Sequence, residues 1–336
     1  AMILGRPATS FRFPLPKTTV KDLTWFLPKS SPTRLYNHII PPDPPIPSTK
    51  TLRDFLMDER GFHLAIAPAF FGFFAYFGTM QAWDEALSKD DFYILKTQIK
   101  SLAGSSAGAM TAVLLGIGIE PSQAAKFCET VTLDQFADFP GLLGAFKGDL
   151  FEELMVTFAH SQKPNNSLQL EDCEIPTVVT GFDLKTFKTK YLTNGSALKA
   201  ARASATFPLL FQPAIWNEKY AISFLIDGGI EDNLGLMGLS MVDVGNYKRI
   251  VNIVVGSFGS DGPLGPSSMP TGVLASEVVS ISIKNTPQSG PLAMENGPRA
   301  NESARKAMLA SLDIPMYRGK EKNHYILEID ASLFLQ

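Results

Sequence analysis

The sequence Ser101-Leu-Ala-Gly-Ser-Ser-Ala-Gly-Ala-Met110 contains a Gly-x-Ser-x-Gly pattern formed by Gly104, Ser106 and Gly108. When a strand turns sharply into a helix, the residue at the turn is held in a strained backbone conformation. Flanking glycines relieve the steric clash because they carry no side chain, and the serine hydroxyl is left exposed. The pattern predicts a nucleophile elbow with Ser106 as the nucleophile, although five such residues also fit an ordinary tight turn.

The segments on either side of Ser106 fit the elbow. Residues from about 92 to 103 are typical of a buried strand, and the small apolar residues 107–115 are typical of a buried helix. Ser106 would then lie at a helix N-terminus. Free backbone N–H groups there, including that of Ala107, and the helix dipole favour a developing oxyanion.

The composition favours one α/β domain with extensions. The chain has 336 residues, and 45% of them are hydrophobic, which is enough for a sizeable core. Its net charge of −3 argues against a nucleic-acid-binding protein, which would normally carry a basic face. The oligomeric state does not follow from the sequence.

The two cysteines, Cys128 and Cys173, form neither a disulfide framework nor a cluster with metal-ligand spacing. We therefore expect reduced thiols, no metal and no cofactor. The N-terminus lacks the basic segment and apolar run of a secretory signal. These features predict a cytoplasmic protein, with peripheral membrane association or a plastid-targeting remnant as alternatives.

The first fifty residues are rich in proline and culminate in Pro41-Pro-Asp-Pro-Pro-Ile-Pro47. Proline fixes its own φ, lacks an N–H donor and disfavours helix in the preceding residue. We expect an extended arm or linker over 1–50, with a disordered leader as the alternative. The α/β catalytic domain is expected over 51–336.

An uncharged run covers residues 64–83 and is long enough to span a bilayer. Pro68 and Gly72 interrupt the run, however. The pattern divides more naturally into a strand at 62–67, a loop, and a helix at about 72–87.

Aromatic side chains are dense in this run. Phe70, Phe71, Phe73 and Phe74 are predicted to line an acyl-binding site or to contact a membrane surface transiently. Plain core packing is the alternative for all four.

An acidic residue follows another apolar segment. The segment 221–226 reads as a strand that delivers Asp227 to its carboxyl end, and Gly228 and Gly229 let the backbone turn closely around the carboxylate. In open α/β sheets, chemistry collects at this edge, where the elbow serine also lies. A carboxylate that caps a turn is the alternative for Asp227.

Together these segments resemble the patatin-like phospholipase family. The resemblance runs over about residues 62–256, and the joint occurrence of its parts is more specific than any one of them. Four segments carry it in the family's order: the strand, loop and helix at 62–87, the elbow at 104–108, Ile175-Pro-Thr-Val-Val-Thr-Gly-Phe-Asp183 with Ala201-Arg-Ala-Ser-Ala-Thr-Phe-Pro208, and Asp227-Gly-Gly229 followed by Asn233-Leu234.

The resemblance implies a three-layer α/β/α patatin-like fold with a mainly parallel central sheet. It also implies a lipid acyl hydrolase, a serine esterase of phospholipase A type, that cleaves fatty-acyl esters of phospholipids or galactolipids through an acyl-enzyme. By this similarity Ser106 is the nucleophile and Asp227 its base. Since a carboxylate is a weak base, with a pKa near 4, apolar surroundings would have to raise the pKa of Asp227.

One segment departs from the family's pattern. Where the family has a glycine-rich loop that ends in Arg or Lys, this chain has Ala67-Pro-Ala-Phe-Phe-Gly-Phe73. Pro68 has no N–H to donate, and Gly72 takes the basic position. The backbone N–H groups of Ala69, Phe70 and Ala107 are the oxyanion-hole donors that we expect.

Two other functions stay open at this point. The order Ser106, Asp227, His324 permits a Ser–His–Asp triad of the α/β-hydrolase type. A non-catalytic lipid- or fatty-acid-binding protein is the other, if the altered loop has abolished the oxyanion hole. Arg202 and Asn233 match positions near the family's site, but a solvated helix arginine and a turn asparagine explain them equally well.

Overall fold

The computed structural model describes residues 46–139, 141–219, 221–256 and 269–335. The arm predicted for residues 1–50 therefore lies outside the described residues up to residue 45. Residues 46–51 form a strand at one margin of the main sheet, and this strand crosses the domain boundary predicted from the sequence. Lys50 ties the strand to the sheet through an ion pair with Glu277.

Eleven of the strands that the structure describes form one sheet. Its order is β1-β12-β13-β11-β10-β2-β3-β5-β9-β8, with β6 paired to the free side of β5, and β4 and β7 form a separate pair. The strands are β1 (Ile46–Thr51), β2 (Phe62–Ile66), β3 (Ile99–Ser105), β4 (Gly144–Phe146), β5 (Thr177–Asp183), β6 (Lys188–Leu192), β7 (Leu209–Phe211), β8 (Ala214–Asn217), β9 (Ile222–Ile226), β10 (Lys248–Val255), β11 (Ala275–Lys284), β12 (Pro315–Arg318) and β13 (His324–Asp330).

The centre of this sheet is parallel, as predicted. Each adjacent pair in the series β13-β11-β10-β2-β3-β5 runs parallel, whereas the pairs at both margins run antiparallel. All five residues of β2 are buried, which is expected of parallel strands that are covered on both faces. The carboxyl ends of β2, β3 and β5 consequently meet at one edge of the sheet, where Ser106 follows β3.

Both faces of the sheet are covered by apolar residues. Helices α2, α4, α5 and α9 share the larger apolar cluster with one face, and a smaller cluster around Leu236 and Leu239 covers the other. The protein is therefore a mixed α/β fold. The helices are α1 (Leu52–Leu56), α2 (Phe73–Leu87), α3 (Ile94–Thr97), α4 (Ala107–Gly116), α5 (Pro121–Thr130), α6 (Leu133–Phe136), α7 (Asp149–Gln162), α8 (Ala197–Ser204) and α9 (Gly297–Ser311).

The segment before the elbow differs from the prediction of one strand over 92–103. Residues 94–97 form a single helical turn, and β3 begins only at Ile99. The Ser88 hydroxyl accepts the Ile94 N–H at 3.0 Å, so the chain turns before it enters the sheet. Ile94 is buried in the observed helical turn, as it would be in the predicted strand, and burial alone does not distinguish the two.

The uncharged run 64–83 is divided as predicted. It belongs to β2, a loop, and α2, which begins after Gly72 as its N-cap. Among the described ranges, no helix has both the length and the apolar character needed to cross a membrane.

Candidate active site

Ser106 lies between the carboxyl end of β3 and the first turn of α4. Its φ of 54° and ψ of −123° form a conformation that residues with a side chain rarely adopt. The Ser106 N–H donates to Ser204 Oγ at 2.8 Å, which helps to hold the strained backbone in place. This strained turn from a strand into a helix has the geometry expected of a nucleophile elbow.

Gly104 and Gly108 allow the backbone around Ser106 to pack without intervening side chains. A Cβ atom at Gly104 would lie 2.4 Å from the carbonyl oxygen of Gly108. A Cβ atom at Gly108 would lie 2.1 Å from the carbonyl oxygen of Ile66, at the end of β2. Both separations are too short for any side chain, so the start of α4 rests directly on the backbone of β2.

Asp227 lies within hydrogen-bonding distance of Ser106. Ser106 Oγ donates to Asp227 Oδ2 at 2.7 Å, and the other carboxylate oxygen accepts the Gly229 N–H at 2.8 Å. The strand before Asp227, β9, runs antiparallel to β5 and pairs with it only at Phe182 and Asp183. Asp227 therefore approaches the elbow from outside the parallel part of the sheet.

Burial changes the acidity of Asp227. The residue is only 5% exposed, and loss of hydration raises the pKa of its carboxyl group to about 6. The hydrogen bonds from Ser106 and Gly229 stabilise the ionised form and offset part of this rise. The result is a carboxylate that is ionised at neutral pH but is a stronger base than an exposed one.

The raised pKa of Asp227 predicts that its ionised carboxylate destabilises the folded chain. Because the folded chain holds the Asp227 proton more tightly than the unfolded chain does, the free energy of unfolding falls as the pH rises from about 4 to about 6. A shift from 3.8 to about 6 corresponds to about 3 kcal/mol at higher pH. An Asp227→Asn variant should therefore be more stable than the wild type at pH 8 by about 1–3 kcal/mol.

Urea unfolding at pH 8 and at pH 4 measures this effect. The stability difference between the variant and the wild type should shrink towards pH 4, where Asp227 is protonated in the folded chain and about half protonated in the unfolded chain. A variant that is less stable than the wild type at pH 8 would contradict the raised pKa.

The three residues expected to supply oxyanion-hole N–H groups differ in backbone conformation and hydrogen bonding. Ala107 begins α4, and among the described residues neither its N–H nor that of Ala69 has an acceptor. Phe70 has a φ of 48°, so its backbone is also strained. The N–H of Ser106 itself is already engaged by Ser204 and is not a donor for substrate.

Ser106 lines an apolar pocket that is partly open to solvent. Of the four predicted acyl-binding residues, Phe70, Phe71 and Phe73 line it, and no lining residue carries a charge. The other walls are Met110, Phe127, Cys128, Val131, Phe136, Phe151, Leu154, Ala205, Phe207, Leu210, Phe211 and Met294. This uncharged apolar lining is that of a site for an apolar ligand.

Phe74 does not belong to this pocket, in contrast to the sequence prediction. Its ring is fully buried and packs so closely on α9 that a Cβ atom at Gly297 would lie 2.3 Å from it. Successive helix residues point about 100° apart, so Phe73 faces the pocket while Phe74 faces the neighbouring helix.

The histidine of the predicted alternative triad lies far from Ser106. His324 begins β13, which is four strands away from β3, or about 19 Å at the usual strand spacing. It also lies at the opposite end of its strand, and its Nε2 contacts Ser280 at 3.2 Å. His63 is also placed elsewhere, with its Nδ1 2.7 Å from Ser101 Oγ.

Arg202 is not the solvated helix arginine that the sequence allows. It is buried, and its guanidinium group donates to the carbonyl oxygens of Lys147, Gly148 and Gln212. Arg202 therefore holds β4, β7 and α8 together behind the apolar pocket. Asn233 is exposed in the turn after Asp227.

Sequence reasoning missed two supporting residues. Ser204 accepts the Ser106 N–H, and Asp232 is a second buried carboxylate whose pKa burial raises to about 6. Asp232 accepts hydrogen bonds from the Leu236 N–H and from the Thr180 hydroxyl, both at 2.9 Å. The alternating pattern of the preceding strand, β9, ends at Ile226, so no local sequence pattern pointed to Asp232.

Neither cysteine has an ion-binding environment. Burial raises the pKa of the Cys173 thiol to about 11 and that of Cys128 still further. Within residues 46–139, 141–219, 221–256 and 269–335, no three His, Cys, Asp or Glu side chains form a group that could hold a metal ion.

Comparison with models of protein families matches this chain to one family. Residues 69–240 match the family model described as Patatin-like phospholipase. Among solved structures, VipD from Legionella pneumophila is 14% identical, with a TM-score of 0.39 over 74% of this chain and 53% of that one. The type III effector protein ExoU is 13% identical, with a TM-score of 0.37 over 75% of this chain and 53% of that one.

A third similar structure is the heterodimeric ExoU–SpcU complex from the type III secretion system of Pseudomonas aeruginosa. It is 14% identical, with a TM-score of 0.35 over 87% of this chain and 62% of that chain. The present chain thus spans about half the length of VipD and of ExoU.

Proposed function

The chain belongs to the patatin-like phospholipase family, and we propose that it is a serine esterase of phospholipase A type that cleaves fatty-acyl esters of glycerolipids. The family implies lipid acyl hydrolase activity. The observation that carries the finer proposal is the 2.7 Å hydrogen bond from Ser106 Oγ to Asp227, with Ser106 on the lining of an uncharged pocket.

Acylation begins when Asp227 accepts the proton of Ser106 Oγ while Oγ attacks the ester carbonyl carbon. Negative charge develops on the carbonyl oxygen, and the N–H groups of Ala69, Phe70 and Ala107 are the donors proposed to stabilise it. The ester C–O bond then breaks, and the alcohol leaves with the proton from Asp227. The fatty acid stays on Ser106 as an ester.

Deacylation repeats these steps with water in place of the alcohol. Asp227 takes a proton from water as the water attacks the acyl ester, and the fatty acid is released when Ser106 Oγ recovers its proton. The dyad supports both steps without a histidine. One carboxylate serves as base and then as acid because its pKa lies near neutral pH.

This use of Asp227 predicts one acidic limb in the pH profile. The ionised carboxylate is the base, so kcat/KM for a soluble ester should fall about tenfold per pH unit below about pH 6. Steady-state hydrolysis between pH 4.5 and pH 9 measures the limb. A profile that is flat down to pH 4.5 would exclude a base with a raised pKa.

The pocket indicates which part of the substrate enters the protein. Its walls carry no charge, so they suit a fatty-acyl chain and would leave a phosphate- or sugar-containing head group outside, beside Ser106. Long-chain glycerolipids reside in membranes. Transient contact with a membrane surface is therefore part of the proposal.

Covalent labelling tests the nucleophile directly. A fluorophosphonate probe is expected to modify the peptide that contains Ser106, detected by mass spectrometry. With p-nitrophenyl esters from butyrate to palmitate, kcat/KM should rise with chain length until the pocket is filled.

The loop Ala67–Phe73 makes a binding protein the second candidate, because Pro68 removes one donor from the oxyanion region. A chain that binds fatty acid but neither reacts with the probe nor hydrolyses any ester would overturn the proposed enzyme in favour of this candidate.

A further inference from the structure

Exposed apolar side chains converge on one side of the small β4–β7 sheet. Leu142 is 89% exposed, and Leu143, Ile215 and Phe224 are also exposed. All four line one open groove, together with Leu184 and Lys185. Isolated apolar residues are common at protein surfaces, but a shared groove is a contiguous patch and indicates a contact surface.

Hydrogen bonds join the parts of this patch. The Leu142 N–H donates to Gln212 Oε1 at 3.0 Å, which fixes the loop before β4 beside the start of β8. The Leu184 N–H donates to the Phe224 carbonyl oxygen at 2.9 Å, which fixes the β5–β6 hairpin beside β9. Ile215 also pairs with Phe224 across β8 and β9, so the patch is a formed surface of four chain segments.

The tip of the β5–β6 hairpin projects an aromatic side chain next to this patch. Phe187 is 73% exposed and has a φ of 54°, a turn position that usually holds glycine or asparagine. Neither core packing nor turn geometry explains a phenylalanine there. An aromatic ring on a projecting turn suits insertion among lipid head groups, where an apolar ring can be covered.

Two cations flank Phe187. Lys185 and Lys188 are exposed, and neither forms an ion pair with any residue that the structure describes. Two acidic groups lie near the hairpin. Asp183 is buried and accepts hydrogen bonds from the Lys185 N–H and the Thr186 hydroxyl, and Glu231 accepts the Thr189 N–H at 2.7 Å. The hairpin tip therefore presents positive charge beside apolar side chains, which complements an anionic lipid surface.

The patch adjoins the acyl pocket. Strand β7 carries Leu210 and Phe211 on the pocket wall, and the next two residues, Gln212 and Pro213, line the exposed groove. A surface that contacts lipid at the groove would thus bring the bilayer beside the pocket that receives the acyl chain.

We propose that Leu142, Leu143, Phe187, Ile215 and Phe224, with Lys185 and Lys188, form a surface that docks on phospholipid bilayers containing anionic head groups. This inference rests on the proposed lipid substrate. A second copy of the chain fits less well, because a twofold contact through this patch would bring the lysines of both copies together without acidic partners.

Vesicle sedimentation tests the surface, with Ser106→Ala protein so that the lipids are not consumed. The protein is expected to bind phosphatidylcholine vesicles that contain phosphatidylserine more tightly than vesicles of phosphatidylcholine alone. A triple variant should bind both kinds of vesicle about tenfold or more weakly; its substitutions are Leu142→Gln, Leu143→Gln and Phe187→Asn. The pair Lys185→Gln and Lys188→Gln should remove the preference for phosphatidylserine.

Val244→Gln with Tyr247→Gln is the matched control. Both side chains are more than 70% exposed, but they precede β10 and so lie at the amino ends of the parallel strands, away from the patch. The inference is overturned if unmodified protein stays in the supernatant, if this control weakens binding equally, or if gel filtration shows that the patch variants break a dimer.

Hydrolysis of a short, soluble ester separates this inference from the proposed enzyme. Patch variants that retain Ser106 should hydrolyse p-nitrophenyl butyrate as the wild type does, because no patch residue contacts the dyad. If the wild type binds vesicles but hydrolyses no ester, the docking surface stands and the proposed enzyme fails.

Discussion

A Ser106→Ala variant is expected to lose ester hydrolysis by about 10⁴-fold or more, because it removes the atom that forms the acyl-enzyme. Asp227→Asn should cause a loss of the same order, since an amide cannot accept the serine proton. The two residues act as one unit, so the double variant should be no less active than either single variant. The measurement is kcat/KM for a soluble p-nitrophenyl ester at pH 8.

Two neighbours serve as matched controls for these substitutions. Ser105 is buried beside the nucleophile, and its Oγ has no hydrogen-bond partner among the described residues, so Ser105→Ala should leave kcat/KM within about twofold. Asp232→Asn changes the other buried carboxylate with a raised pKa, and it should retain activity within about tenfold because it does not contact Ser106.

The controls also define the contradicting outcomes. If Ser105→Ala is as inactive as Ser106→Ala, the assignment of the nucleophile within Gly104–Gly108 is wrong. If Asp227→Asn keeps most of the activity, another group is the base.

The positions of Ser106 and Asp227 could be predicted because each half of the site has a local signal. Ser106 follows the largely buried strand β3, and Asp227 follows the apolar but alternately exposed strand β9. Each of the two residues has glycine nearby where the backbone packs closely. A general rule on sheet edges then places the two ends near each other. The antiparallel direction of β9 was not predictable, because alternating and apolar patterns carry no strand direction.

The role of Arg202 depends on contacts that no local pattern contains. Its carbonyl partners lie near β4 and β7, and these strands pair although Leu209 lies 63 positions after Phe146 in the sequence. Both strands are three residues long, too short for a periodic signal. The sequence shows an arginine on a helix, and only the fold shows what surrounds it.

The phenylalanines of the oxyanion segment show a similar limit. Their density predicts burial near a site, and Phe70, Phe71 and Phe73 do line the pocket. Which of them face the pocket depends on where α2 begins, because each residue in a helix turns the side chain by about 100°. A one-residue uncertainty in that start is enough to misplace Phe74.

Substitution of Gly108, the elbow glycine that contacts β2, is the second change expected to have a large effect. A Gly108→Ala variant would place its Cβ atom 2.1 Å from the Ile66 carbonyl oxygen, and both groups belong to backbone. Since neither can rotate away, α4 and β2 have to separate. We expect the free energy of unfolding to fall by about 3 kcal/mol, the upper range for overpacking in a well-packed core.

The same displacement should also reduce activity in the protein that still folds. Ile66 leads directly into the loop that carries Ala69 and Phe70, and Gly108 follows the Ala107 donor. Moving these N–H groups by about 1 Å relative to Ser106 should lower kcat about 100-fold with little change in KM, because the oxyanion forms only in the transition state. Gly256→Ala is the control, since a Cβ atom there meets nothing closer than 3.6 Å. Urea unfolding and steady-state kinetics of both variants measure the two effects. A Gly108→Ala variant as stable and as active as Gly256→Ala would show that α4 does not rest on β2 as described.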